Sequence, residues 1–154
     1  MRSRPPKLEF AFEAAVALAP IQDLGQTPAG HRRIINITGG EVNGPRLNGR
    51  ILPGGADWQV LRADGTADLH ARYTIEAEDG SLIYVQNVGY RHASSAVLER
   101  MTAGEIVPPD DYYFMATPRF ETSAPAHEWL NHTIVIAEAA REPDTVRLRF
   151  YAVL

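Results

Sequence analysis

Between Gly39 and Gly65 the chain reads GGEVNGPRLNGRILPGGADWQVLRADG, with Gly-Gly, Asn-Gly-Pro, Asn-Gly, Pro-Gly-Gly and Asp-Gly separating apolar runs of a few residues each. Glycine reaches positive φ without a Cβ clash and proline fixes φ, so punctuation this dense demands tight turns and leaves no length for a helix. The chain must double back repeatedly, as short strands do. Within the stretch, Asp57 and Trp58 follow Gly54-Gly55-Ala56, which places a carboxylate and an indole just past a turn on a rigid scaffold. That pair is a candidate site.

The 154 residues fit one domain spanning 1–154, long enough to enclose a single core or closed barrel. Hydrophobic residues at 45% and charged residues at 22% are those of a globular protein rather than a disordered one. A formal charge of −4 carries no basic footprint, which argues against nucleic-acid or anionic-membrane partners. The absence of cysteine removes disulfides, thiolate nucleophiles and Cys-ligated zinc together, and fits a cytoplasmic location. Near the N-terminus the apolar run AAVALAP follows basic residues as in a signal peptide, but Glu9 and Glu13 interrupt its approach and the uncharged run is short. No stretch approaches the roughly 18 apolar residues of a membrane span.

Phe10 to Ile21 reads as a strand by its alternation, although its alanines would suit a helix, and Pro20 argues for the strand. A Gly/Pro loop, GQTPAGHRR, leads into the β-branched strand Arg33 to Thr38; Arg50 to Pro53 and Trp58 to Arg62 follow as short strands. Leu69 to Ala77 and Leu82 to His92 form a hairpin around Asp79-Gly80. A two-residue turn sets Arg72 opposite Asn87 and Thr74 opposite Val85, whereas a three-residue turn with a bulge slips the register by one and pairs Tyr73 with Val85. Ala93 to Gly104 is the one helix, with Ser94 or Ser95 as N-cap and Gly104 as its stop. Strands at Tyr112 to Ala116, Arg119 to Thr122, Asn131 to Ala139 and Thr145 to Leu154 complete the chain.

Several motifs in this order resemble the family known as domain of unknown function 3237, or the UPF-0311 proteins. They include Thr27-Pro28-Ala29-Gly30 with Arg32, Ile37-Thr38-Gly39-Gly40, Leu52-Pro53-Gly54-Gly55-Ala56-Asp57-Trp58, and Ala71-Arg72-Tyr73. Asn87-Val88-Gly89 with Arg91, Phe120-Glu121-Thr122 and Trp129-Leu130-Asn131 continue the match almost to the C-terminus. The resemblance implies an all-β, single-domain antiparallel barrel of the lipocalin-like kind with one short helix. It brings no general activity with it. Strand-and-turn units throughout predict eight to ten strands, and closure removes exposed sheet edges.

Chemistry then has to come from individual residues. Asp57 is a candidate proton-transfer group and Trp58 a stacking wall; the alternative has Asp57 closing its turn and Trp58 filling the barrel end. Arg72, Asn87 and Arg91, facing inward, would form a floor for a carboxylate or phenolate; facing outward they are ordinary solvated residues. Glu121 is a second candidate acid or base, and it would equally serve as the partner of an arginine. Trp129 and Asn131 sit where a barrel rim is expected, as substrate-binding candidates. The five histidines include no pair at i, i+4 spacing, and no nucleophile elbow, phosphate loop or dinucleotide fingerprint is present, so neither a metal nor another cofactor is expected.

The expected function is a small enzyme of lyase, isomerase or cyclase type, acting without a cofactor on a small aromatic or oxygenated organic acid. Asp57 or Glu121 would move the proton and Arg72 or Arg91 would hold the anion. The alternative is a lipocalin-like carrier of an anionic or aromatic small molecule. A self-associating homo-oligomeric barrel with a filled interior is the third reading.

Overall fold

In the computed structural model, which describes residues 1–154, the glycines and prolines punctuate ten strands. They are β1 (Leu8–Leu18), β2 (Gln22–Thr27), β3 (Gly30–Asn43), β4 (Gly49–Ile51), β5 (Gly55–Leu61), β6 (Ala67–Ala77), β7 (Leu82–His92), β8 (Tyr113–Glu121), β9 (Val135–Arg141) and β10 (Thr145–Val153). One α-helix, α1 (Ser95–Thr102), and two 3-10 turns, Pro109–Asp111 and Pro125–Asn131, join them. No helix is long and apolar enough to cross a membrane.

The sheet runs β1-β10-β9-β8-β7-β6 and on through β4 and β5 to β3, and β3 pairs back onto β1, closing an antiparallel barrel of eight staves. β4 and β5 are successive halves of one stave, both pairing with β3 on one side and β6 on the other. Between them the Pro53-Gly54 turn lets the stave break and resume with a two-residue offset against β6: Ile51 faces Ile75, but Ala56 faces Arg72. β3 is long enough to serve two sets of partners, β2 and β5 with its first half and β1 and β4 with its second. The changeover falls at Gly39-Gly40, both at φ +153°, where a Cβ on Gly40 would come within 2.3 Å of the Ala15 carbonyl oxygen. Only glycine permits that approach, and so only glycine permits the closure.

Alternation decides which residues fill the interior. On β8, Phe114, Ala116, Pro118 and Phe120 are buried while Tyr113, Met115, Thr117, Arg119 and Glu121 are exposed. Pro118 lies beyond the two residues where β8 pairs with β9, so that side of the strand has no ladder for its missing N–H to break. The stretch expected as two strands, Tyr112 to Ala116 and Arg119 to Thr122, is therefore one. Part of the expected loop GQTPAGHRR is β2, folded onto β3 as a hairpin, and the expected strand from Asn131 begins only at Val135 because Pro125–Asn131 winds as a 3-10 turn. α1 falls inside the predicted Ala93 to Gly104 window. The Ser94 Oγ accepts from the Val97 N–H, and Gly104 (φ +84°) ends the helix while Glu105 N–H reaches back to the Arg100 carbonyl.

The β6–β7 hairpin adopts the second of the two registers. Its loop is Glu78-Asp79-Gly80, with Gly80 at φ +83°, and Tyr73 faces Val85 while Arg72 faces Gln86. At one end of the barrel Phe12 and Phe150 stack at 4.5 Å, and Phe120 meets them edge-on at 6.0 and 6.2 Å. Leu47 and Leu130 complete this plug. The other end holds a smaller cluster of Ala67, Leu69, Val107, Tyr112 and Phe114 and is otherwise left unfilled.

Candidate functional site

The unfilled end encloses a cavity of about 110 Å³ lined by 22 residues, 13 of them hydrophobic. On this measure one water occupies about 10–15 Å³, so there is room for a small organic molecule. Small side chains make the space: on the inner wall Gly89 of β7 faces Ala116 of β8, and Ala71 of β6 lies diagonally across from Gly89. A methyl on Gly89 would stand 2.3 Å from the Met115 carbonyl oxygen, so the wall there is bare backbone packed against its neighbour.

Charged and amide groups converge on this space from four staves. β3 contributes Arg33, β5 Asp57 and Gln59, β7 Asn87 and Arg91, and the end of β9 Arg141. Arg33 and Gln59 are paired across the β3–β5 ladder, and Arg33 Nε donates to Gln59 Oε1 at 3.0 Å. Gln59, 1% exposed, donates in turn from Nε2 to Asp57 Oδ2 at 2.8 Å, and the backbone N–H of His70 donates to Asp57 Oδ1 at 3.0 Å. Both carboxylate oxygens are thus fixed by groups on the ladder itself, which holds Asp57 in a single orientation.

Burial dominates the electrostatics. It pushes the Asp57 carboxyl above the usual carboxylate range, against the lowering pull of the Gln59 and His70 hydrogen bonds and the nearby Arg91 charge. Burial and repulsion from Arg141 and Arg33 lower the Arg91 guanidinium to about 10, and burial and Arg141 lower Arg33 as well. Arg91 lies with its guanidinium 5.6 Å from the Phe114 ring. The other lining carboxylate, Glu142, is taken up by Arg147 at 2.7 Å. Three arginines therefore share one available carboxylate, an arrangement with an excess of positive charge facing the void.

Of the residues named from sequence, Asp57, Asn87 and Arg91 line this cavity. The others do not. Arg72 is exposed on the outer face, one residue out of phase with the inward Ala71 and Tyr73, and the bulged hairpin separates its face from that of Asn87. Trp58 follows Asp57 in a strand and so points outward, 39% exposed. Glu121 is outward by the same alternation, paired with Tyr84. Trp129 packs at the plugged end, with the Arg46 guanidinium 3.6 Å over its ring. Asn131 clamps the chain after β8, its amide bonding both the N–H and the carbonyl of Thr122 at 2.9 Å.

Sequence reasoning missed Arg33, Gln59, Tyr73 and Arg141 as site residues. The signal for Arg33 was present: Ile35 and Ile37 alternate with it, so a face buried at those positions carries Arg33 inward. Gln59 shares the face of Asp57 for the same reason. Arg141 carried no such signal, because its place at a strand end depends on how the β9–β10 hairpin folds over the mouth.

The family model "Protein of unknown function (DUF3237)" matches residues 6–153. A UPF0311 protein of Rhodopseudomonas palustris is 38% identical over 151 residues, 97% of this chain and 99% of that protein. The crystal structure of a β-barrel-like protein from Acinetobacter baumannii matches with a TM-score of 0.87 at 43% identity, covering 99% of each chain. The hydroalkoxylation enzyme phnH of Penicillium herquei is 30% identical over 131 residues, 85% of this chain and 72% of that protein. The crystal structure of an enzyme from Penicillium herquei matches with a TM-score of 0.74 at 25% identity, covering 100% of this chain and 98% of that one.

Proposed function

The chain belongs to the DUF3237 family, and within that barrel we propose that the cavity is the active site of an enzyme that moves protons on a small oxygenated organic anion. The observation that carries this reading is Asp57. It is a carboxylate held by two hydrogen bonds, raised in pKa by burial, and set among three arginines inside a cavity of ligand size. A base works best when its pKa approaches the working pH, and burial moves Asp57 in that direction. Arg91, Arg33 and Arg141 supply preorganised positive charge for an oxyanion, phenolate or enolate that forms as the proton leaves.

The Penicillium relative's name supports the reaction type. Hydroalkoxylation adds an O–H bond across a C=C bond; within one molecule the O–H and the π bond are lost, a C–O and a C–H bond are formed, and the product is an isomer. In this chain Asp57 would take the hydroxyl proton, the arginines would stabilise the oxygen anion, and the proton would return to carbon. An isomerase or cyclase of this kind balances without an external oxidant or reductant. The second reading, a non-catalytic carrier, draws on the predominantly apolar lining of the same cavity.

Incubation with alkenyl phenols and enolisable hydroxy acids in D2O, followed by NMR, tests the proposal. Cyclised product or carbon-bound deuterium is expected, reduced about 10²–10³-fold in Asp57→Asn. Binding of these compounds with no exchange or product above that of the variant would leave the carrier reading.

A further inference from the structure

Two polar atoms in the cavity wall have no partner in the protein: the Tyr73 hydroxyl and the Asn87 amide oxygen. Both side chains are more than nine-tenths buried, at 5% and 7% exposure, and both line the cavity. Buried polar groups of this kind are rare because leaving one unsatisfied forfeits its hydration with nothing in return. Asn87 is paired with Ala71 across the β6–β7 ladder, and Tyr73 is the next inward residue along β6. The two are therefore diagonal neighbours, with backbones about 7–8 Å apart, close enough for one ligand atom to meet both side chains.

Arg91 lies four residues from Asn87 on the same strand and the same face, about 13–14 Å along the barrel wall at a rise of 3.4 Å per residue. Between them on that face stands only Gly89, which has no side chain to obstruct the path. The cavity thus has a positively charged end, at Arg91 and Arg141 with Arg33 beside them, and a polar end without a cation, at Tyr73 and Asn87, where Asp57 stands level with Asn87 across β6. The Tyr73 phenol is raised by burial alone, with no neighbouring charge acting on it. Neither Tyr73 nor Asn87 carries a charge to balance an ionised ligand group.

We infer that the ligand of this cavity is a bifunctional molecule, an organic anion whose charged group faces the arginines and whose far end carries a neutral hydroxyl read by Tyr73 and Asn87. A hydroxyl both donates and accepts, so it can donate to Asn87 Oδ1 while accepting from the Tyr73 O–H, and it serves equally if the amide is rotated. This inference rests on the anion-binding reading of the site and narrows its substrate class to hydroxylated acids.

The test uses matched pairs, 4-hydroxybenzoate with benzoate and 3-(4-hydroxyphenyl)propanoate with 3-phenylpropanoate, titrated calorimetrically into the wild type and into Tyr73→Phe/Asn87→Leu. In the wild type at least one hydroxylated acid should bind about 10- to 100-fold more tightly than its partner, the range set by leaving one or two buried groups unpaired. The double variant should bring that ratio close to one, with the unhydroxylated acid bound at least as tightly as by the wild type because it no longer strands two buried polar groups. Should the double variant not fold, Tyr73→Phe alone, checked by far-UV circular dichroism, should lower the ratio several-fold. Equal affinities within both pairs in the wild type would mean that water satisfies Tyr73 and Asn87, and would overturn the inference. A ratio that persists in the folded variant would overturn it too. If equal binding is lost in Arg91→Ala, the anion site survives and only the hydroxyl reading falls; if no acid binds and Arg91→Ala changes nothing, both fall.

Discussion

Asp57 and Arg72 show how much rests on a single residue of phase. Asp57 faces a cavity where burial raises its pKa, and a carboxyl raised on folding makes the folded state lose stability as pH climbs from the unfolded value toward the folded one. In that interval the folded protein holds a proton that the unfolded chain has released. Asparagine is neutral throughout, so the stability of the wild type relative to Asp57→Asn should fall as pH rises from about 4 and then level off. Urea titrations of both proteins between pH 4 and 8 would show it, and parallel curves would mean that Asp57 is not desolvated. Arg72, on the outer face, predicts the opposite kind of result. Arg72→Ala should leave affinity for aryl carboxylates unchanged within about twofold, since an exposed side chain away from a site contributes little. Arg91→Ala, by removing a buried cation from the cavity wall, should weaken it about tenfold or more, a charged hydrogen bond contributing roughly 1.5–3 kcal/mol.

At the scale of elements, turn chemistry sets which faces meet. The β6–β7 hairpin takes the bulged three-residue loop with Gly80 at φ +83°, and this register puts Asn87 on the face of Ala71 and Tyr73. Nothing lies within 4 Å of a Cβ built on Gly80, so Gly80→Ala meets no steric clash and isolates the backbone cost. The loss should be about 1–2 kcal/mol in urea unfolding. Ser94→Ala, which deletes the side-chain cap of α1, should cost about 0.5–2 kcal/mol. Both expectations follow from local sequence. The hairpin and the helix were legible for that reason, the helix down to Gly104 as its stop and a choice of two serines as its N-cap. The choice between two- and three-residue turns was not, because Glu78-Asp79-Gly80-Ser81 satisfies the local requirements of either.

For the whole molecule, the two ends of the barrel divide the work. The plugged end carries the aromatic cluster of Phe12, Phe120 and Phe150, with Phe12 and Phe150 fully buried. Phe150→Ala should cost about 3–5 kcal/mol by opening a void there. Affinity for an acid bound at the open end should be unchanged as long as the protein is folded, measured below the unfolding transition, since Phe150 does not line the cavity. A parallel loss of affinity would show the two ends to be coupled. What the sequence determined by itself was the class of fold. Glycine and proline spacing forbade long helices, alternation supplied two-faced strands, and a full set of such strands buries its apolar faces most completely by closing. It also marked Asp57, Asn87 and Arg91, which stand among apolar residues on inward faces. Tertiary structure alone decided the site. Arg33 and Gln59 face each other across the β3–β5 ladder, but Arg141, at the far end of β9, joins them in one cavity only when the barrel closes. Trp58, Arg72 and Glu121 were lost to it because a strand turns each successive side chain to the opposite face, and which of the two faces is the interior is a property of the closed barrel rather than of any one strand.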